Sequence, residues 1–312
     1  MNEFLLLEDH FQKKFPKDRI DLIQYSRRPF ENDTIHFFLY LSEKLSFVIS
    51  CYREKNKERL ERENKVMRQL LSSLNSDFFK ESILYTPKHI HIKNKYFRIQ
   101  AYFDNRKYRA CVKKMTPAFV KKILAHSTSW LHDIQSYSFT NEYSISSIIP
   151  EIEELKEFHK ENKNIGDVID ILSQKIGLFD NRQMQCFVHG DYSFNNYFFV
   201  DNSDFFVFDW EYAETSYWAF YDPISNFISL WMSLFSRNKV RDLYDFVHGD
   251  SQDAYDEILR AYMTRIMDEY KLSIKLFTIL TVFVYLKIFL RTDKYQKERF
   301  LPCYTNVCRL IK

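Results

Sequence analysis

Glycine is scarce in this 312-residue chain: there are four, at 166, 177, 190 and 249, and none before position 166. A glycine-rich phosphate loop, which needs backbone free of Cβ atoms to approach the anion, is therefore excluded from the first half. Cysteines number five, at 51, 111, 186, 303 and 308, without a CxxC pair. That odd, scattered set excludes a disulfide framework and a zinc knuckle, and reduced thiols in the cytoplasm are expected. Charge of one sign is also missing: 45 Lys and Arg against 42 Asp and Glu give +3, with no basic tail, so nucleic acid is not an expected partner. The longest apolar run, from Ile274 to Leu290, is cut by Lys275 and Lys287 to eleven uncharged residues. That is well short of the roughly 20 a span requires, so no membrane insertion is expected and the run reads as a buried core helix. The start, MNEFLLLEDHFQKKF, turns acidic after three leucines and lacks the form of an export signal.

What is present is a packed protein: 46% apolar, 28% charged and rich in Phe and Tyr. DLIQYS and IHFFLYL read as strands around the polar turn RRPFEND, and LSFVISCY as a third. The charge-rich stretch after them carries Leu60, Val66, Met67, Leu70 and Leu71 at helical spacing, which predicts a helix against a small antiparallel sheet. HIHIKN and KYFRIQAYF read as two more strands, and DNRKY as a connection with a hinge near Asp104. This divides the chain into an N-terminal lobe, 1–103, and a C-terminal lobe, 104–312, whose pattern is mostly helical. NYFFV and FFVFDW, separated by the turn formers DNSD, predict a hairpin that draws Asn196 and Asp209 together.

Inside the helical half sits FVHGDYSFNNYFF, with His189, Gly190, Asp191 and Asn196. Phosphoryl transfer needs a carboxylate that orients the acceptor hydroxyl and takes its proton, and oxygen ligands for Mg²⁺. Asp191 fits the first role, Asn196 and Asp209 the second, with His189 beside Asp191 as a catalytic or loop-shaping residue. The spacing Asp-x4-Asn followed by a hairpin ending in Asp is similar to the kinase catalytic loop and its metal-binding motif. The form HGDxxxxN with DWE resembles the aminoglycoside phosphotransferase and choline kinase family, small-molecule kinases. SWLHDI at 129–134 and the stretch from Asp209 to a buried Asp222 resemble further family segments. His-Gly-Asp-x4-Asn alone arises by chance in on the order of one such chain in several hundred, so the pairing with DWE is specific. A second His-Gly-Asp, at 248–250, has Tyr255 where Asn is needed and reads as a loop between helices.

The resemblance implies an α+β, bilobed, protein-kinase-like fold: a small antiparallel sheet lobe for nucleotide and a larger helical lobe for catalysis and substrate. It implies Mg²⁺, and ATP or GTP as donor. Two features depart from the family. Without a glycine loop, Ser26, Arg27 or Arg28 in the turn between the first strands are candidates for the phosphates, or that turn is simply exposed. The strand lysine that meets the phosphates in related kinases is replaced by Ser50. Glu63 is then either the glutamate such a lysine pairs with or a solvated helix residue, and Arg53 is a candidate substitute cation. Tyr102, at the lobe connection, completes the candidate nucleotide set.

The acceptor is expected to be a small alcohol, a sugar or an amino alcohol such as choline before an aminoglycoside. Glu211 and the aromatic residues Tyr217, Trp218 and Trp231 are its candidate contacts, a wall suited to a sugar face or a quaternary ammonium, or else core packing. A catalytically weak or inactive nucleotide-binding protein of the same fold is the alternative. Only thirteen residues separate Asp209 from Asp222, too few for the activation segment of a protein kinase. Oligomeric state is not legible.

Overall fold

The computed structural model describes residues 3–25, 35–52, 57–73, 88–93, 95–102, 106–139, 141–158, 163–200, 204–210, 212–291, 303 and 306–311. Contacts divide the chain into two compact units. The first is Met1–Lys107 with Phe199–Glu211; the second is Tyr108–Phe198 with Tyr212–Lys312.

In the first unit five strands form an antiparallel sheet: β1 (Ile20–Tyr25), β2 (Ile35–Leu41), β3 (Lys44–Tyr52), β4 (Lys88–Ile92) and β5 (Lys95–Ala101), in the order β1-β2-β3-β5-β4. Alternation along the strands sorts the side chains to two faces. Phe37, Leu39, Ile49, Cys51, Phe97 and Ile99 go to one, where Leu7 and Phe11 of helix α1 (Glu3–Lys14) complete a core. That helix is an addition to the sequence reading, which took FLLLEDHF only as evidence against export. Its apolar residues recur at Phe4, Leu7 and Phe11, one stripe of a helix, and Phe11 stacks on Phe15 and Phe47 at 6.2 and 6.3 Å. The other face carries His36, Ser50, Arg98 and His89 in one row, each opposite the next across the strands. Helix α2 (Lys57–Ser73) buries Glu63, Val66, Met67 and Leu70, a single stripe at i, i+3, i+4 and i+7.

The second unit is mainly helical. Helix α3 (Arg106–Lys114) leads to α4 (Pro117–Ser136), which starts where Thr116 caps it by accepting from the Phe119 N–H at 3.3 Å and Pro117 presets the first turn. The predicted run of helices contains three short strands as well. Strands β6 (Glu142–Ser144), β7 (Arg182–Val188) and β10 (Glu214–Trp218) form an antiparallel sheet ordered β10-β7-β6, with α5 (Ile149–Phe158) and α6 (Lys163–Ile176) between β6 and β7. The predicted hairpin is present: β8 (Tyr197–Val200) pairs with β9 (Asp204–Val207), and the division between the units falls within β8. Helices α7 (Tyr221–Phe235), α8 (Leu243–His248), α9 (Ala254–Glu269) and α10 (Ile274–Arg291) complete the unit. Along α10 Leu276, Phe277, Leu280, Val282, Phe283, Val284 and Leu286 are fully or almost fully buried, as expected of an interior helix. Among the described residues no single helix is long and apolar enough to cross a membrane.

Few glycines leave left-handed backbone to ordinary residues. Ser42 (φ 48°) and Glu43 (φ 71°) make the tight β2–β3 turn, where glycine or asparagine is usual because a Cβ crowds the backbone. Glu43 is exposed and only loosely paired with Arg19, at 3.9 Å. Glu43→Gly is accordingly expected to stabilise the protein by about 0.5–1 kcal/mol, read as a higher denaturant midpoint at unchanged slope.

Candidate active site

The His-Gly-Asp motif begins at the end of β7, where the chain leaves the sheet in a turn that only glycine fits. Gly190 has φ +78°, and a Cβ on it would lie 2.1 Å from the Tyr212 carbonyl oxygen. The turn is fixed from thirty residues away by Asp222 in the first turn of α7. Its Oδ2 accepts from the His189 N–H at 2.6 Å and its Oδ1 from the Gly190 N–H at 3.0 Å. Asp222 is 1% exposed, so these bonds and the helix N-terminus are what offset the burial of its charge. Asp222 thus ties the loop to the start of α7.

His189 is equally buried, and its Nδ1 accepts from the Asp191 N–H at 3.3 Å. This bond is the one that the loop-shaping reading of His189 calls for. Asp191 itself is half-buried. Asn196 holds it: the Nδ2 amide donates to the Asp191 carbonyl oxygen and to its carboxylate Oδ2, both at 2.8 Å. This turns the Asn196 amide nitrogen toward Asp191 and reserves the other end of the amide, its carbonyl oxygen, for a different partner. The second triplet differs as expected: Gly249, at the end of α8, has an extended φ of −94°, and the Tyr255 hydroxyl donates to the Met115 carbonyl oxygen.

In the first unit Asp209 follows β9 in the left-handed region, φ 69°, beside the buried Trp210, whose Nε1 donates to the Val207 carbonyl oxygen. An aspartate tolerates that conformation better than most side chains. Its Oδ1 lies 3.4 Å from Nη1 of Arg98. Nη2 of the same guanidinium is 3.0 Å from Oε1 of Glu63, and Nε2 of His89 is 3.4 Å from the other Glu63 oxygen. Glu63 is 2% exposed, which rules out the reading of it as a solvated residue. Burial alone would pull the Arg98 guanidinium down, but Glu63, with Tyr52 and Asp209 behind it, outweighs that and holds it above its ordinary value. Removing one member of such a buried pair leaves the other uncompensated, typically at a cost of about 3–5 kcal/mol.

Other candidates are placed differently. Ser50 is buried with its hydroxyl 2.9 Å from Nδ1 of His36. Tyr102 is partly exposed at the end of β5, its N–H bound to the Ser46 carbonyl oxygen. Ser26, Arg27, Arg28, Arg53 and Glu211 lie outside the described residues. The aromatic wall is corrected to core packing. Trp231 is fully buried and gives its N–H to the Arg241 carbonyl oxygen, and Trp218 is 2% exposed and stacks on Phe220 at 5.9 Å. Tyr217 is buried too, its hydroxyl donating to Glu151 at 2.6 Å with the Lys287 ammonium 4.4 Å from its ring centroid. Arg98 was missed. Its signal was an arginine between Tyr96 and Gln100 on the polar side of the strand, but the helix residue that gives it meaning, Glu63, is not local in sequence.

Comparison with solved structures matches nearly the whole chain. A thermostable mutant of aminoglycoside phosphotransferase APH(4)-Ia aligns with a TM-score of 0.59 at 12% identity, covering 97% of both chains. A variant of that enzyme in a ternary complex with ADP and hygromycin B aligns at 0.53 and 14%, over 98% of this chain and 97% of the other. The chain has the protein-kinase-like fold of small-molecule phosphotransferases. Choline kinase LicA from Streptococcus pneumoniae aligns at 0.52 and 14% identity over 98% of each chain. An ethanolamine kinase from Plasmodium vivax gives 0.52 and 14%, over 98% of this chain and 89% of that one. No protein-family model and no curated protein matches the chain.

The turn at Gly190 yields a stability test. Gly190→Ala is expected to cost at least about 2 kcal/mol, because neither the left-handed φ nor the Tyr212 backbone can yield cheaply. Thermal unfolding of the variant measures it, and an unchanged midpoint would contradict the turn geometry.

Proposed function

We propose that the protein is a phosphotransferase that moves the γ-phosphoryl group of a nucleoside triphosphate, ATP before GTP, to a hydroxyl of a small molecule. The observation that carries this reading is the Asp191 carboxylate, half-exposed on a loop clamped by Asp222 and held in orientation by Asn196. A carboxylate fixed in this way is suited to accept the proton of an acceptor hydroxyl. In the transfer, the acceptor oxygen forms a bond to the γ-phosphorus, the bond from that phosphorus to the β-bridging oxygen breaks and leaves the diphosphate, and the hydroxyl proton passes to Asp191. ATP is favoured because one matched enzyme is in complex with ADP.

From the resemblance of their motifs, Asn196 and Asp209 are the proposed Mg²⁺ ligands, the one offering an amide carbonyl oxygen and the other a carboxylate. The donor chemistry fits: Mg²⁺ characteristically takes one or two protein oxygens and completes its shell with water and substrate phosphates. The metal would neutralise charge developing on the phosphates; the chain's own work is to orient the hydroxyl and its proton. For the acceptor, the matched enzymes are named for aminoglycosides, choline and ethanolamine, each of which bears a hydroxyl alongside a nitrogen. This favours an amino alcohol, while the argument from aromatic residues is withdrawn with their burial.

Incubation with Mg-ATP and panels of amino alcohols, sugars and aminoglycosides, with ADP release as readout, tests the reading. No release with any panel, and no thermal shift with nucleotide and Mg²⁺, would favour a non-transferring protein of the same fold. Asp191→Asn is expected to lower turnover by about 10²–10⁴-fold with nucleotide affinity nearly unchanged. Asp209→Asn should weaken Mg-nucleotide binding as well as turnover, a difference that calorimetry resolves.

A further inference from the structure

The kinases that this chain resembles need a cation within the third strand, and β3 has only Lys44, exposed at its first position beside the β2–β3 turn. Ser50 stands in that cation's place, buried, its hydroxyl engaged with His36. The residue directly opposite Ser50 on the next strand is Arg98. Directly opposed residues of an antiparallel pair have Cβ atoms about 5 Å apart on the same face, a gap that an arginine's longer side chain covers. We propose that Arg98 is the phosphate-contacting residue of this protein, a cation moved one strand sideways from β3 to β5. This rests on the phosphotransferase reading above.

Three observations converge on it. Arg98 pairs with Glu63 on α2, the helix glutamate that a strand lysine would pair with, at 3.0 Å. It also reaches Asp209, the proposed metal ligand, at 3.4 Å, so the guanidinium touches both the helix glutamate and the carboxylate proposed to hold the metal. Glu63 is 1% exposed in its side chain, whereas that of Asp209 is 37% exposed, so one partner is structural and the other faces a site that solvent reaches. Third, the guanidinium carries five N–H donors; Nη2 faces Glu63 and Nη1 faces Asp209, while among the described residues its buried Nε finds no acceptor in hydrogen-bond geometry. A phosphate offers oxygens suited to the planar fork of an arginine, and arginine keeps its charge at any working pH. Ser50 is the complement of this arrangement: a lysine there would press a second cation against Arg98.

The test is nucleotide binding to the full chain, followed by calorimetry with Mg-AMP-PNP and with adenosine. The variant Arg98→Met/Glu63→Gln removes the cation while keeping the interior neutral, and Arg98→Lys keeps a cation beside Glu63. Loss of at least about tenfold in Mg-AMP-PNP affinity is expected in the double variant, with adenosine affinity unchanged and Arg98→Lys losing less. A purely structural strut would weaken both ligands alike, and that result overturns the proposal, as does wild-type affinity in the double variant. Returning the cation to β3, in Ser50→Lys/Arg98→Ser, is expected to restore much of the loss; where that swap does not fold, the double variant decides alone. Should wild type bind no nucleotide, the phosphotransferase reading fails first and this one with it. Should wild type bind and Asp209→Asn weaken it while Arg98 proves indifferent, only the assignment of Arg98 falls.

Discussion

Two buried backbone N–H groups, those of His189 and Gly190, depend on a single carboxylate. Asp222 satisfies both, and without it two desolvated donors and a strained turn would remain at the end of β7. The clamp joins a strand end to the start of α7 across thirty-odd residues, so the orientation of Asp191 is set by the packing of a helix and not by local propensity. Everything proposed for the loop follows from that tie. Gly190 is confined to the left-handed region, His189 turns its Nδ1 to the Asp191 N–H, and Asn196 is brought to within two hydrogen bonds of Asp191.

The first unit solves a different problem, that of burying a charge. Arg98 comes from the middle of a strand and Glu63 from the apolar stripe of a helix, both positions at which a charge is costly unless it is paired. The pair seldom yields much net stability, because desolvation offsets most of the attraction. Its retention is better explained by what it does to geometry. It gives α2 one azimuth, with Glu63 toward the sheet, and fixes a guanidinium beside Asp209.

How much of this was legible in the sequence follows from the range over which each feature is encoded. The five strands of the first sheet and α2 announce themselves through alternation and helical periodicity, and the hairpin through DNSD between two apolar runs. The His-Gly-Asp loop was legible because its motif residues fall within eight positions. Strands β6 and β10, three and five residues long, are too short to show a period, and β10 lies in an aromatic stretch that suits a helix as well. Helix α1 was hidden by the leucine run that drew attention to export. The Arg98–Glu63 pair could not be read locally at all, because it forms only when α2 docks on the sheet with Glu63 toward β5. The aromatic wall was misread for the opposite reason: composition gives the number of aromatic residues, whereas Trp218 and Trp231 owe their role to burial.

Scarcity of glycine shapes the backbone of both units. With four glycines in the chain, left-handed backbone falls among the described residues on Ser42, Glu43, Lys93, Met115, Asp209, Asn238 and Lys271, and on one glycine, Gly190. Most of these are turn residues, for which the strain is incidental. Asp209 is not, since it is held between the β9 strand and the buried Trp210, and its φ of 69° is what aims its carboxylate at Arg98. The one left-handed glycine stands where a Cβ would meet backbone at 2.1 Å, and the left-handed aspartate stands where its carboxylate meets the buried Arg98. A chain this sparing of glycine thus keeps one for the turn that no other residue can make, and accepts a strained aspartate where its side chain pairs with a buried cation.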